Sequence, residues 1–461
     1  MRSKILLLPF FTLLWAKGHS QLNISPLLQD AVLKAISKSS VIKNNEIEHE
    51  KIALEKKSVL NKYIPKVEAS ATYLYFDSKI KVDLPATQLP ITGIEIFEGK
   101  SSFDNYGNLF NGSIMAKTVL YSGGQIENGA KALEQKLEAE KQLTEVEKQN
   151  IAKEVISSFD ALFLLDEIDN LINESEKRLA TETHRVEKAI SEGLAIPYDR
   201  EKIKLAHLEL QASRIEVEGK RKVLYKKINY LTGYSQDEIV KVKYELSPLV
   251  ISEDLSVNDK QELKALESYK KASDFLVKKE KGTYLPAVGA FGGLTYLNLF
   301  NASTIIPKNN VLTTPVHARL NSFALSPALM VGVSAKWEIF GGFERKHKVE
   351  EAKLASVQVQ NKIDDTRDKL NLLLENNLST YRSANEKYQV VLQKELVAKN
   401  NLNMAIRQYQ EGLINITERL ATENDMIKTG TEKVQTIIDQ RRTVIETLSG
   451  TGTLLTSVIT K

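Results

Sequence analysis

The six histidines, His19, His49, His184, His207, His317 and His347, are where acid–base or metal chemistry would first be sought. No His-Glu-x-x-His occurs and no two histidines are close neighbours, so the spacing that sets two ligands on one helix face is missing. His184 and His207 flank one turn and are placed to face each other across a helical hairpin, but no third ligand accompanies them. The runs "FGGLTY" and "SGGQIENG" carry the glycines a phosphate cradle would need, yet one belongs to a strand and the other to a strand-to-helix hinge. There is no Gly-x-Ser-x-Gly elbow and no Walker loop. A chain without cysteine forms neither disulfides nor thiolate metal sites. No catalysis, cofactor or metal is expected.

The elements that would have to position any site are long. At 461 residues, 26% charged and 42% apolar, the composition is that of a folded protein with room for two or three ordinary domains. "MRSK" followed by "ILLLPFFTLLWA" and Gly18-His19-Ser20 reads as a signal peptide over residues 1–20: a basic start, an apolar stretch too short to span a bilayer, and small residues before Gln21. Removing Arg2, Lys4 and Lys17 lowers the formal charge from +4 to +1, which gives no reason to expect a nucleic-acid partner. No later stretch approaches the roughly 20 apolar residues of a membrane helix, so entry into a membrane would have to be by strands.

Self-similarity organises the rest. "YIPKVEASATY" from Tyr63 resembles "YLPAVGAFGGLTY" from Tyr284, with prolines 221 apart. The pairs Gly123-Gly124 and Gly341-Gly342 are 218 apart, the glycines of "EGLAIPYD" and "EGLINITE" 219, and those of "YLTGY" and "TLSGT" 217. Four landmarks in one order at nearly one spacing argue for a duplication. The first repeat is expected over 21–258 and the second over 259–461.

Each repeat predicts the same series. A helix ends at Tyr-hydrophobic-Pro, because proline lacks an N–H and disfavours helix in the residue before it. A β-hairpin follows, about 66–121 or 286–340, with alternation such as Val67, Ala69, Ala71, Tyr73 and Tyr75 against Lys66, Glu68, Ser70 and Thr72. After Gly-Gly comes a long helical hairpin, about 126–231 or 344–448, whose outgoing arm is roughly 100 Å at 1.5 Å per residue. The segment 236–258 has neither period and is expected to sit at mid-height.

Four strands cannot close a barrel, and unpaired strand edges cannot face lipid, where each unsatisfied backbone group costs several kcal/mol. Two copies would supply eight strands and three would supply twelve. The aromatics Tyr73, Tyr75, Phe110, Tyr121, Tyr296, Trp337 and Phe340 gather toward the strand ends, as in interfacial girdles.

Through the duplicated unit, the Tyr-x-Pro lead-ins, the hinges "LYSGGQ" and "EIFGGFE" and the turns "EGLAIPYD" and "EGLINITE", the chain resembles the TolC-type outer-membrane factors of Gram-negative bacteria. The resemblance covers essentially all of it after residue 20. It implies a mainly α fold with β: an internally duplicated protomer with four transmembrane strands and long helical hairpins, assembling as a homotrimer. A 12-stranded β-barrel in the outer membrane would continue into a periplasmic α-helical barrel. The function implied is a passive exit duct of a tripartite efflux or secretion system, meeting a periplasmic adaptor (a membrane fusion protein) and, through it, an inner-membrane pump. A type I protein-secretion duct and a periplasmic coiled-coil scaffold without a pore are the alternatives. Gly123, Gly124, Gly341 and Gly342 are then the strand-to-helix hinges, and Gly193, Leu194, Gly412 and Leu413 the adaptor-contacting tips. Matched through the tip glycines, Asp199 and Glu418 take acidic positions of the family's pore constriction. The match departs at Ile414, where some members carry a basic residue, and at Ala421, which replaces a further acid.

Overall fold

The computed structural model describes residues 25–459 except 84, 86, 89, 93, 94, 98, 99, 245, 307 and 309–312, so the expected signal peptide lies outside the described residues. In order, the elements are α1 (Pro26–Lys38), α2 (Ser40–Leu60), β1 (Lys66–Asp83), β2 (Thr87–Gln88), β3 (Glu95–Phe97), β4 (Lys100–Tyr121), α3 (Gln125–Ser191), α4 (Pro197–Thr232), α5 (Gln236–Lys241), α6 (Gln261–Lys281), β5 (Ala287–Ile306), β6 (Val316–Lys336), α7 (Glu344–Gln410), α8 (Ile416–Thr451) and α9 (Leu454–Ile459). Helices α3 and α7 have 67 residues each, and α4 and α8 have 36 each. All four boundaries of the second pair repeat those of the first at a spacing of 219 residues. The first helix expected from the sequence is interrupted at Ser39, whose ψ of 123° leaves the helical region.

The chain folds as two compact units, each drawn from both halves of the sequence. One takes the chain up to Glu50, Leu137–Tyr269 and Val359 onward. Its long helices bury narrow seams: Leu165, Ile172, Leu179 and Val186 on α3, and Ile203, Leu210 and Val217 on α4, recur at every seventh position. A seven-residue repeat keeps one stripe facing its neighbour only if the helices wind around each other left-handedly. A broader core joins Leu28, Val32, Phe159, Ile228, Val444 and Leu448 from α1, α3, α4 and α8. The stretch between α5 and α6 is fastened to that core at Tyr244. Its hydroxyl donates to Asp160 (2.5 Å), which also pairs with Arg441 at 2.9 Å. Gln440 holds both the N–H and the carbonyl of Leu249.

The other unit, Lys51–Lys136 with Lys270–Gln358, contains a four-stranded antiparallel sheet in the order β1-β4-β5-β6. The two hairpins are alike in register near their hinge ends, where Lys66 pairs Lys117 in the first and Ala287 pairs Lys336 in the second; between Thr295 and Leu297 the second shifts register and the first does not. Each hairpin is tied to the 3₁₀ turn before it by one side chain. Thr118 donates to the Tyr63 carbonyl at 2.7 Å, and Trp337 to the Tyr284 carbonyl at 3.0 Å. Strands β1 and β6 are free edges.

At the first hinge Gly123 (φ 65°) and Gly124 (φ 78°) are left-handed. At the second the left-handed residues are Gly342 (φ 61°) and Phe343 (φ 68°), not Gly341. The true equivalents are therefore 219 apart, and pairing Gly-Gly with Gly-Gly slips the comparison by one residue. Helix geometry, not glycine content, sets which residues turn: the two left-handed residues must immediately precede Gln125 and Glu344. Space differs too. A Cβ on Gly123 would lie 2.3 Å from the Gly282 carbonyl oxygen, whereas one on Gly342 meets nothing within 4 Å. Gly342→Ala should therefore cost only the backbone strain, about 1–2 kcal/mol, and Gly123→Ala clearly more, as read from thermal unfolding of the purified variants.

Candidate functional site

The two helical turns are built alike. Gly193 (φ 74°) and Gly412 (φ 71°) end α3 and α7. The Leu194 N–H donates to the Ala189 carbonyl and the Gly193 N–H to that of Ile190; Leu413 and Gly412 do the same to Gln408 and Tyr409. These are Schellman closures, which satisfy the last carbonyls of a helix and need a left-handed residue that glycine adopts without a Cβ clash. The closure leaves Leu194 78% and Leu413 72% exposed, two apolar side chains held out by hydrogen-bonded turns.

Both acids singled out in the sequence stand at the third residue of a return helix. Asp199 is half-buried and accepts from the Ile196 N–H at 3.3 Å. Glu418 is exposed; its N–H donates to Asn415 Oδ1 at 2.9 Å, and Asn415 Nδ2 donates back at 3.4 Å. Each thus helps close its helix N-terminus, where a negative charge is favoured. A cleft of about 750 Å³ opens between the turns, lined by Glu182, Asp199, Leu194, Tyr409, Gly412 and Ile414 among others. Asp199, Leu194 and Gly412 are brought together there, and Glu418 is not among the lining residues.

Behind the cleft lies a buried charge cluster that the sequence reading did not single out. Arg419 (1% exposed) pairs with Glu423 (2%) at 2.8 Å. Glu423 also takes Arg178 at 2.8 Å and the Ser175 hydroxyl at 2.7 Å. Glu182, 3% exposed, faces Arg185 at 3.9 Å. Burial pushes the Glu182 carboxyl above its ordinary value, with the charges of Arg419 and Arg185 pulling it partly back. Burial, then the charges of Glu182 and Asp199, push the Tyr409 hydroxyl up to about 12. The signal was present in the sequence. Ile416, Arg419, Leu420 and Glu423 share one helix face by their three-and-four spacing, so two charges stand in an apolar stripe.

His207 lies 3.3 Å from the Thr183 hydroxyl. Among the described residues no group of three His, Asp or Glu side chains is placed to hold a metal, and no helix is long and apolar enough to cross a membrane.

No protein-family model and no curated protein matches the chain. Solved structures do. The Campylobacter jejuni CmeC outer membrane channel aligns with a TM-score of 0.68 at 15% identity, over 98% of this chain and 94% of that one. CusC, whose structures are described in terms of folding and transmembrane channel formation, aligns at 0.70 and 11% identity over 92% of each chain. The open state of the Neisseria gonorrhoeae MtrE outer membrane channel aligns at 0.65 and 13% identity over 95% of each. The chain has the TolC-type fold.

The charge cluster makes two measurable demands. Replacing Glu423 by Leu leaves Arg419 buried without its partner and should cost about 3–5 kcal/mol, of which the double change Arg419→Met/Glu423→Leu should recover a part, since Ser175 and Arg178 still lose their acceptor. Because the folded-state pKa of Glu182 is raised, its contribution is fully present below the ordinary value of 4.5 and is lost as pH rises through the raised value. Glu182→Gln should therefore flatten the decline of melting temperature over that window. Both are read from thermal unfolding across pH 4 to 8.

Proposed function

We propose that this chain is the outer-membrane exit duct of a tripartite efflux or secretion system. It would work as a homotrimer whose twelve strands cross the outer membrane and whose helices wall a periplasmic tunnel. The observation that carries the reading is the sheet: four strands of 18 to 22 residues, ending in two unpaired edges. Such a sheet has room to cross a bilayer, which takes about 9–11 residues per tilted strand, but only if other copies take up its edges. The TolC-type fold supports the same reading, since the structures it matches include outer membrane channels.

In this assembly an adaptor of the membrane fusion class meets the turns at Gly193-Leu194 and Gly412-Leu413, whose exposed leucines offer apolar anchors on hydrogen-bonded loops. The inner-membrane pump acts through that adaptor and supplies the energy. Gly123, Gly124, Gly342 and Gly341, with Phe343, carry the wall from strand to helix. Asp199 and Glu418, repeated three times, set the charge of the narrow end, and six carboxylates around one water path favour cations and hold divalent ions. Both acids also close helix N-termini, so the amide variants, which keep an acceptor, separate the two roles.

Reconstituted in planar bilayers, the purified protein should conduct, and light scattering in mild detergent should return the mass of three chains. Asp199→Asn with Glu418→Gln should reduce cation selectivity and weaken block by divalent cations at nearly unchanged trimer stability. A stable monomer, or silence in the bilayer from an intact trimer, would remove the duct; a lowered melting temperature with selectivity untouched would reduce the two acids to helix caps.

A further inference from the structure

The sheet contains its own template for the contact between copies. From the hinge to Thr295, hairpin β1–β4 is repeated by hairpin β5–β6, with β1 carried onto β5 by 221 residues and β4 onto β6 by 219: Lys66↔Lys117 becomes Ala287↔Lys336, and only beyond Thr295 does a register shift in the second hairpin break the match. The hairpins join in the chain through β4 and β5, in a register that includes Ile114↔Leu294, Ala116↔Gly292, Lys117↔Phe291 and Thr118↔Ala290. Applying the same two shifts to that joint gives a unique pairing for the two edges left over.

Resting on the ring proposed above, we propose that β6 pairs antiparallel with β1 of a second copy in one register. Val333 would stand opposite the partner's Tyr73, Ala335 opposite the partner's Ala71, and Lys336 opposite the partner's Ser70. From Val331 to Lys336 the residue chemistry agrees; beyond it Glu338 falls opposite the partner's Glu68, the one like-charge pair of the joint. Val331, Val333 and Ala335 meet the partner's Tyr75, Tyr73 and Ala71 on one face, and Ser334 and Lys336 meet the partner's Thr72 and Ser70 on the other. A slip of one residue would set every apolar side chain against the wrong face. Val331, Val333, Tyr73 and Tyr75 are all exposed in the single chain.

The register also gives a role to a stretch that the chain alone leaves unpaired. Thr118–Tyr121 completes β4 against Ala290 to Val288 of β5, but its counterpart Trp337–Phe340 is not strand. Opposite the partner's Ala69 to Val67 it acquires a ladder, so β6 lengthens to the hinge only on assembly. The two kinds of joint then differ at the hinge itself. Inside the chain Gly123 and Gly282 approach so closely that a Cβ on either would collide with the other's carbonyl. Between copies Gly342 faces the partner's Asn61, which carries a side chain. The copy-to-copy joint is the wider one.

The chain has no cysteine, so introduced pairs report only on themselves. β1 and β6 stand at opposite edges of one sheet, three strand spacings of about 4.8 Å apart, which no disulfide can span. Any cross-link is therefore between copies. Full-length Ala71→Cys/Ala335→Cys and Ser70→Cys/Lys336→Cys, oxidised in membranes, should yield covalent dimers and trimers on a denaturing gel. Adjacent antiparallel pairs alternate between close and wide spacing, so one of the two should react faster. The slipped pair Ala71→Cys/Val333→Cys, on the same face but diagonal, should give about fivefold less, and each single variant none. Product strongest at the slipped pair, or absent from both aligned pairs in a protein that still has the mass of several copies, would overturn the register. A monomer by light scattering would strike down the ring itself.

Discussion

Backbone hydrogen bonding at the edges of the sheet is the constraint on which this structure turns. Inside the chain β4 and β5 satisfy each other along almost their whole length, while β1 and β6 each keep one side open. An open edge in water is an invitation to pair, and in lipid it is prohibitively unfavourable. A sheet of this size therefore makes physical sense as a segment of a larger closed surface, and the exposed side chains on both faces of β1 and β6 belong to the same condition. The proposed duct is one consequence of edge closure; the register of the copy-to-copy joint is another.

The helices answer a different problem. A helix of 67 residues that buried a wide apolar stripe would need partners on several sides, and α3 and α7 instead bury narrow seams repeated at every seventh residue. The remaining surface carries ion pairs such as Lys394–Glu432 and Lys433–Glu395 together with exposed apolar side chains such as Leu372 and Val390. Exposed pairs of this kind contribute little individually. The cluster of Arg419, Glu423, Arg178 and Glu182 is different, because Arg419, Glu423 and Glu182 are withdrawn from water and only Arg178 keeps part of its side chain in solvent. At the repeat spacing Arg178, Glu182 and Glu423 correspond to Val397, Asn401 and Lys204, so the duplicated backbone does not carry a duplicated cluster. One chemical fastening thus belongs to a single place in a doubled architecture.

Much of this was legible from residue order. Apolar residues recurring at three and four along the helices and at two along the strands, with the prolines ahead of each hairpin, point to a mainly α fold with four strands, because each period follows from local backbone geometry alone; the seven-residue seams emerge only in the folded chain. Glycine at the turns could be read for the same reason: a helix that ends in a Schellman closure needs one left-handed residue, and Gly193 and Gly412 supply it. Reading the hinges by composition misled by one residue, since a second glycine pair is visible in the sequence while the left-handed angle of Phe343 is not.

What the tertiary structure alone decided is which charges are buried and which backbones touch. Arg419 and Glu418 are neighbours in the chain and both ionic, yet one is withdrawn against α3 and the other stands in solvent at a helix cap. Gly123 and Gly342 are equivalent in the repeat, yet only Gly123 lies against another backbone, at a residue 159 positions away. Periodicity states which way a side chain points from its own helix or strand. Burial, desolvation and steric contact depend on what arrives from elsewhere in the chain, and no local pattern contains that information.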